Sequence, residues 1–328
     1  MKRHIFAAAL LWLSFSLLAC NRGQEESGRP RVALVLKTLN NPFFIDMETG
    51  AQEAAERLGV QLIVQAAERE LDVEKQMQII ENLIQTKIDA LCITPSGSKE
   101  VIPAILKANQ AGIPVLILDT RVDQSAAQEG ARFETFIGSD NYQGGRVAGQ
   151  FILERLGSKA KVAILEGIPG HETGDARLRG FKDAVKDAEN VEVVSSQPAN
   201  WERDQGFNVF QNILEAHPEV DTLFACSDLM ALGAMEAVAA AGRSGEIRIV
   251  GFDALEEARQ AVREGTMLAT VAQFPADMGR IAIESAVRVL KGEKVPAHIP
   301  VRIELITRQN VDSTQKGPAL GEPKGAIR

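Results

Sequence analysis

The sequence predicts an α/β protein built from two similar lobes, each a doubly wound parallel sheet. From residue 31 onward, short apolar runs alternate with amphipathic stretches, and continuous Val, Ile and Leu is typical of parallel strands covered on both faces. The alternation lapses at 120–135 and then restarts. Residues 32–64 and 162–194 share the order strand, loop, helix, strand, so we expect two units of roughly 110 to 130 residues each.

The elements of the first half follow from the spacing of apolar residues. A strand at 32–36 precedes a helix in which Phe44, Met47 and Leu58 recur at helical spacing. Asn41 and Pro42 are typical of a helix start. Further strands are predicted at 61–64, 90–94, 114–118 and 136–138, and Asp72 is expected to cap the second helix.

The second half repeats this alternation. A helix start at Ser139, Asp140 and Asn141 opens it. Strands are predicted at 161–165, 191–194, 222–225, 247–250 and 267–272, with a last strand at 301–305. An apolar helix at 230–241 follows Ser227 and Asp228, one of which we expect to be its N-cap, and another helix spans 277–290.

The two ends of the chain are not predicted to belong to the folded lobes. A basic head and an uncharged apolar run over residues 1–20 end in Leu17, Leu18, Ala19 and Cys20, which resembles the lipobox of bacterial lipoproteins and predicts a lipidated Cys20. The alternative is an ordinary secretory signal. Residues 21–30 are predicted to be a flexible tether and 313–328 a disordered tail. We therefore expect an exported protein anchored on the outer face of the cytoplasmic membrane or in the periplasm.

Composition excludes several function classes. The 328-residue chain carries a net charge of −8, which argues against nucleic acid as a partner. Cys92 and Cys226 lie in apolar runs of different halves, so we expect no disulfide, and no cysteine or histidine pair has metal-ligand spacing. Phosphate-loop, nucleophile-elbow and zinc-protease motifs are absent, so the sequence predicts neither an enzyme nor a cofactor.

Candidate binding residues follow the predicted strands, because ligands bind at the carboxyl ends of parallel strands. Carboxylates, amides, an arginine and aromatic rings together suit a polyhydroxylated ligand, whose hydroxyls donate and accept while its C–H faces pack on rings. The candidates are Asn41, Phe43, Phe44, Thr94, Asp119, Thr120, Arg177, Trp201, Ser227, Asp253 and Gln273.

Each candidate also has a purely structural explanation. Phe44 is as consistent with the core as with a ligand, whereas Phe43 favours a ligand contact. Asp253 can cap a helix, and Arg177 can be a solvated helix residue. Asp119 at the end of an apolar strand is harder to explain without a function, since a buried carboxylate needs partners.

Several of these segments resemble the ribose-binding branch of the periplasmic sugar-binding proteins. The resemblance rests on residues 38–44, 139–145, 230–234, 250–253 and 272–273, in that order, and covers 31 to about 308. It implies two lobes joined by three hinge crossings, a sugar clamped between them, and delivery to an ABC permease. Asn41, Phe43, Phe44, Asp119, Arg177, Asp253 and Gln273 match the binding pattern in type, and Trp201 stands where the pattern has phenylalanine.

The departures from that pattern bear on the ligand. Thr94 and Ser227 replace asparagines, Lys37 replaces a serine and Thr120 replaces an arginine, leaving open whether Lys37 or Arg121 contacts the ligand. Because such sites discriminate by hydrogen bonds, ribose is less favoured, and another pentose, a hexose or a sugar alcohol is at least as consistent. A sugar-like signal of the autoinducer-2 type, or service to a chemoreceptor or sensor kinase, remains an alternative.

The predicted organisation places both lobes on discontinuous segments. The first lobe comprises 31–138 plus 274–302 and the second 139–273 plus 303–312. We expect a monomer whose partners are the monosaccharide or polyol, the ABC permease and, through Cys20, the membrane.

Overall fold

The computed structural model describes residues 28–156 and 159–313. The predictions for the signal segment, the lipidated Cys20 and the tail beyond 313 lie outside the described residues, as do 21–27 of the expected tether. Within the described residues, no helix is long and apolar enough to cross a membrane.

Twelve strands and ten helices alternate along the described chain. The strands are β1 (Arg31–Thr38), β2 (Gln61–Ala67), β3 (Ala90–Ile93), β4 (Val115–Leu118), β5 (Thr135–Ser139), β6 (Ala160–Glu166), β7 (Val191–Pro198), β8 (Thr222–Ala225), β9 (Arg248–Asp253), β10 (Ala269–Ala272), β11 (His298–Val301) and β12 (Glu304–Thr307). The helices are α1 (Pro42–Leu58), α2 (Val73–Gln85), α3 (Ile102–Gln110), α4 (Ser125–Gln128), α5 (Asn141–Leu156), α6 (Glu172–Val185), α7 (Arg203–Ala216), α8 (Asp228–Ala240), α9 (Glu256–Glu264) and α10 (Pro275–Leu290).

The strands form two six-stranded sheets of matching order. The first is β11-β5-β4-β3-β1-β2 and the second β12-β10-β9-β8-β6-β7. All pairings are parallel except that of β12 with β10, which is antiparallel. The chain passes between the sheets after β5, after β10 and between β11 and β12. The prediction of two doubly wound α/β lobes with parallel sheets is confirmed.

Both faces of the first sheet are covered, as its apolar strands require. Val32, Leu34 and Leu36 of β1 belong to one buried cluster, whereas Ala33 and Val35 belong to another on the opposite face. This follows from the alternation of side chains along a strand. The buried strands fix the sheet edge at which their ends, and the loops that follow them, lie together.

One predicted strand was wrong. Residues 301–305 were expected to form a single strand, but β11 ends at Val301 in the first sheet and β12 begins at Glu304 in the second. Arg302 and Ile303 form the third crossing between the lobes. Apolar alternation continues through the crossing, because each short strand is half-buried in its own sheet, so the pattern alone hides the break.

The helix starts are partly as predicted. Asp140 accepts a hydrogen bond from the Gln143 amide (2.9 Å) and so caps α5. Asp72 stands at the N-cap of α2 but makes no capping bond, because its carboxylate accepts from the Arg69 amide (2.9 Å) in the preceding turn.

Candidate functional site

A cavity lies between the two lobes, where the carboxyl ends of both sheets face each other. The space between its lining residues is about 310 Å³, part of it open to solvent. Its lining includes three aromatic rings, three carboxylates and two cations. The lining residues are Lys37, Asn41, Phe43, Phe44, Glu70, Asp119, Thr173, Arg177, Trp201, Ser227, Asp253 and Gln273.

The turn from β1 into α1 places two rings and an amide in the cavity wall. Phe43 and Phe44 are buried, with ring centroids 5.2 Å apart in an edge-to-face arrangement. The Asn41 Oδ1 caps α1 by accepting from the Phe43 amide (3.0 Å), and its Nδ2 donates to Glu70 (3.0 Å). Asn41 therefore both caps its helix and faces the cavity.

A buried charge cluster forms the rest of the first lobe's wall. The Lys37 ammonium lies 3.2 Å from an Asp119 carboxylate oxygen and 3.8 Å from Glu70. Asp119 also accepts from the Thr120 hydroxyl (3.0 Å). Burial raises the pKa of Glu70, and the nearby Lys37 opposes that rise. These groups hold one another in place without any ligand.

Arg177 is the corresponding cation of the second lobe. It is buried on α6, with its guanidinium 3.8 Å from the Phe252 ring centroid and 5.5 Å from that of Trp201. It donates to the Asn141 side chain (2.9 Å) and the Cys226 carbonyl (2.6 Å) and pairs with Asp253 at 3.3 Å. A solvated helix position is therefore excluded for Arg177.

Asp253 lies between Arg177 and Gln273. Its Oδ1 accepts from the Gln273 amide at 2.8 Å. Burial raises the pKa of Asp253 to about 7, with Arg177 and the Gln273 hydrogen bond acting in the opposite direction. Asp253 does not cap α9, whose N-cap residue is Leu255. The Gln273 Oε1 is buried without a partner among the described residues.

Trp201 forms the wall opposite the two phenylalanines. Its ring fits against Gly167, where a side-chain carbon would come within 2.0 Å of the indole. The indole Nε1 is buried and has no hydrogen-bond partner in the described part of the chain. A buried indole N–H normally finds a partner, so a polar group supplied from the cavity would complete it.

Three cavity residues adopt backbone conformations that are uncommon outside glycine. The φ angles are +61° for Asp119, +68° for Trp201 and +111° for Asp253. Asp119 and Trp201 follow the ends of strands, and Asp253 is the last residue of β9. Strained backbone of this kind is frequent at binding sites, and it persists only where surrounding contacts hold it. Nothing in the sequence marks these conformations.

Nine of the eleven residues predicted from the sequence line this cavity. Thr94 and Thr120 do not. Thr94 is buried with its hydroxyl directed to the Val35 carbonyl (3.3 Å), and Thr120 bonds Asp119 and, across the lobes, Thr173 (3.0 Å). The hydroxyls of these two short side chains are thus already hydrogen-bonded to neighbouring protein groups. Arg121 lies over the Phe136 ring at 4.0 Å, outside the cavity lining.

The sequence-based selection missed three lining residues: Lys37, Glu70 and Thr173. Lys37 is the last residue but one of β1, and the sequence had left open whether it contacts the ligand. Glu70 lies in the loop after β2, and that loop carried no motif. A lysine directly after an apolar run is the signal that could have placed Lys37 in the cavity wall.

The remaining alternatives are settled by contacts. Ser227 caps α8 by accepting from the Met230 amide (3.4 Å), and Asp228 has other partners. Cys92 and Cys226 are buried free thiols in different lobes. Among the described residues, no group of histidine, cysteine and carboxylate side chains could hold a metal ion.

Known proteins with similar sequences and folds show the family. A family model described as a periplasmic binding protein domain matches residues 32–294. The chain is 41% identical over 278 residues to the ribose import binding protein RbsB of Escherichia coli. The aligned residues cover 85% of this chain and 90% of that protein. It is 36% identical over 315 residues to the D-ribose/D-allose-binding protein of Pseudomonas aeruginosa, covering 93% and 98%.

A solved structure gives the same result. The periplasmic solute-binding protein of an ABC transporter from Actinobacillus succinogenes, with bound D-allose, matches with a TM-score of 0.82 at 38% identity, over 87% of this chain and 100% of that one. The predicted family is confirmed: the chain belongs to the periplasmic binding proteins, in the branch that resembles the ribose-binding proteins.

Proposed function

We propose that this protein captures an uncharged monosaccharide or sugar alcohol in the cavity between its lobes and delivers it to an ABC permease. The observation that carries the proposal is the cavity itself. It joins three rings, planar hydrogen-bonding side chains and two buried polar atoms, Trp201 Nε1 and Gln273 Oε1, that have no partner in the part of the chain that the structure describes. The similarity to a ribose import binding protein supports the same class of ligand.

The rings suit the faces of a sugar. Phe43 and Phe44 come from the first lobe and Trp201 from the second, so a ring between them packs its C–H faces on aromatic carbon. The two phenylalanine rings meet edge to face, and both line the cavity. Binding then orders no new aromatic side chain, because all three are already buried.

The charges suit an uncharged ligand with many hydroxyls. Lys37 is paired with Glu70 and Asp119, and Arg177 is paired with Asp253, so an anionic sugar would have to compete with these carboxylates for both cations. Hydroxyls can donate to these carboxylates and accept from the lysine, the arginine and the Gln273 amide. Sugar acids and sugar phosphates should therefore bind far more weakly than neutral sugars.

Closure of the lobes accounts for capture. Arg69 of the first lobe donates two hydrogen bonds to one oxygen of Glu202 in the second (2.6 and 2.9 Å), and the Thr120 and Thr173 hydroxyls meet at 3.0 Å. Arg69 precedes Glu70 and Glu202 follows Trp201. Ligand contacts from both lobes would stabilise this closed arrangement over an open one.

Isothermal titration calorimetry tests the ligand class. Protein freed of bound sugar by unfolding and refolding is titrated with D-ribose, D-allose, D-arabinose and ribitol, with D-glucuronate and D-ribose 5-phosphate as anionic controls. We expect at least one neutral compound to bind and both anions to fail. A chain from residue 21 has Trp201 as its only tryptophan, so its fluorescence should change on binding. No binding by any compound would refute the proposal.

The site assignment is tested by Arg177→Ala and Asp253→Ala. Each should weaken binding about 30-fold, or about 2 kcal/mol, because buried polar partners are left unpaired. Lys182→Ala, exposed on the same helix as Arg177, is the matched control. Unchanged affinity in both cavity variants would show that the ligand binds elsewhere.

We also propose that the chain is a lipid-anchored, monomeric protein of the cell envelope. The support is the apolar segment that ends at Cys20, together with the family assignment. Cys20→Ser should abolish labelling by radioactive palmitate in bacteria that express the full chain. Labelling that persists in this variant would refute the anchor at Cys20.

A further inference from the structure

A buried carboxylate outside the cavity contacts the loop that carries Asp253. Asp228, the first residue of α8, is fully buried, and burial raises its pKa well above the ordinary value. Its Oδ1 accepts from the Thr270 hydroxyl (2.8 Å) and its Oδ2 from the Leu255 amide (2.9 Å). The side chain does not line the cavity and does not cap α8.

The loop held by Asp228 is strained. Asp253 and Ala254 have φ angles of +111° and +55°, both in the region that favours glycine. The Ala254 amide donates to the Thr270 hydroxyl (3.1 Å), which in turn donates to Asp228. Consecutive amides of this turn, those of Ala254 and Leu255, are thus bound by one buried pair of side chains.

The sheet leaves room for this pair at one position. Thr270 of β10 lies opposite Gly251 of β9, and a side-chain carbon on Gly251 would come within 2.1 Å of Asp228 Oδ1. The carboxylate therefore lies directly under the end of β9. Two positions further on, the strand ends in Asp253, whose carboxylate enters the cavity between Arg177 and Gln273.

We propose that Asp228 and Thr270 are positioning residues for ligand recognition: they hold the strained 253–255 turn so that Asp253 points into the cavity. Without the two side-chain acceptors, the half-buried Ala254 amide and the buried Leu255 amide would lose their partners, and a relaxed turn would carry Asp253 away from Arg177. The inference rests on the proposed role of Asp253 in binding a sugar.

The test compares Thr270→Val, which removes the hydroxyl at constant shape, with Thr270→Ser, which keeps it. Amide hydrogen exchange of the ligand-free protein is the first readout. We expect the Ala254 amide to exchange at least about tenfold faster in Thr270→Val, since it loses its acceptor, and to keep nearly its original rate in Thr270→Ser. Equal rates in all three proteins would overturn the proposal.

Affinity for D-ribose and D-allose is the second readout, measured also in the Asp253→Ala background. Thr270→Val should weaken binding about tenfold when Asp253 is present and not at all when it is absent, whereas an effect of general destabilisation would persist in both backgrounds. A persisting loss would refute the positioning role. If Thr270→Val does not fold, Asp228→Ala replaces it, with exchange at Leu255, whose amide loses its acceptor, as the first readout and the same comparison of affinities as the second.

The two proposals fail in different ways. If the wild-type protein binds neither sugar but Thr270→Val speeds exchange at Ala254 and displaces the Asp253 carboxylate in a crystal structure, the choice of ligand is wrong and the positioning role stands. If the sugars bind and both backgrounds respond alike, the positioning role is wrong and the binding function stands.

Discussion

The two halves of the cavity wall differ in whether their buried polar groups have hydrogen-bond or ion-pair partners in the absence of a ligand. In the first lobe, Lys37, Glu70, Asp119 and Asn41 bond one another in a closed cluster. In the second, Trp201 Nε1 and Gln273 Oε1 remain without partners among the described residues. A ligand therefore has most to gain from the second lobe. We expect substitutions in the first lobe's cluster to reduce stability most and those in the second lobe's wall to reduce affinity most.

The largest expected effect is on stability, from Lys37→Met. Removing the ammonium leaves Glu70 and Asp119 buried without their cation, which should lower the free energy of unfolding by about 3 kcal/mol or more. Urea unfolding of the ligand-free protein measures it. Lys182→Met, at an exposed site, should change stability by less than about 0.5 kcal/mol. Similar midpoints for both variants would contradict the closed cluster.

The pH dependence of stability should reveal the Asp253 carboxyl. Because its pKa is raised to about 7 in the folded state, the folded protein keeps a proton that the unfolded chain releases between about pH 4 and 7. The stability of the wild type relative to Asp253→Asn should fall as pH rises through this window, by up to about 1.4 kcal/mol per pH unit, and level off above pH 7.

Chemical unfolding of both proteins at pH 5, 6, 7 and 8 makes this comparison. Burial lowers the pKa of His171 to about 4, but His171 titrates in both proteins, so its contribution cancels. If the free energies of unfolding of the two proteins changed in parallel with pH, burial would not be raising the pKa of Asp253 in the ligand-free protein.

A smaller effect, on affinity rather than stability, is expected from Trp201→Phe. The variant keeps a ring but loses the indole N–H, which has no partner among the described residues, and this loss should weaken binding about fivefold, or about 1 kcal/mol. Calorimetry with the best neutral sugar measures the loss. If affinity held while stability fell as far as in Lys37→Met, the contrast between the two walls would be wrong.

The smallest effect should come from the contact at the cleft edge. Arg69→Ala or Glu202→Ala removes a partly exposed ion pair, worth about 0.2 to 1 kcal/mol and weakened by salt. Arg69→Glu or Glu202→Arg alone should weaken binding, because it places two like charges together. The double variant, which exchanges the two charges, should recover part of that lost affinity. No recovery, at low or high salt, would show that the pair does not contribute to closure.

Most of the fold could be predicted from the spacing of apolar residues within short segments of the chain. Strands of continuous Val, Ile and Leu and helices with regular apolar spacing are properties of neighbouring residues, so the sheets and most of the cavity's strand-end residues could be found. The apolar pattern did not show the break between β11 and β12, because it continues through Arg302 and Ile303 while the chain changes sheets, although the expected lobe boundary had been placed between 302 and 303.

The sequence by itself determined that polar and aromatic residues follow the strands of two repeated α/β units, whereas the expectation of a binding site between the two units came from the resemblance to sugar-binding proteins. Only the tertiary structure decided their partners. Lys37 meets Glu70 and Asp119, and Thr270 meets Asp228, because sheet order brings together residues that are far apart along the chain. The left-handed turns at Asp119, Trp201 and Asp253 likewise persist only because surrounding contacts offset their strain.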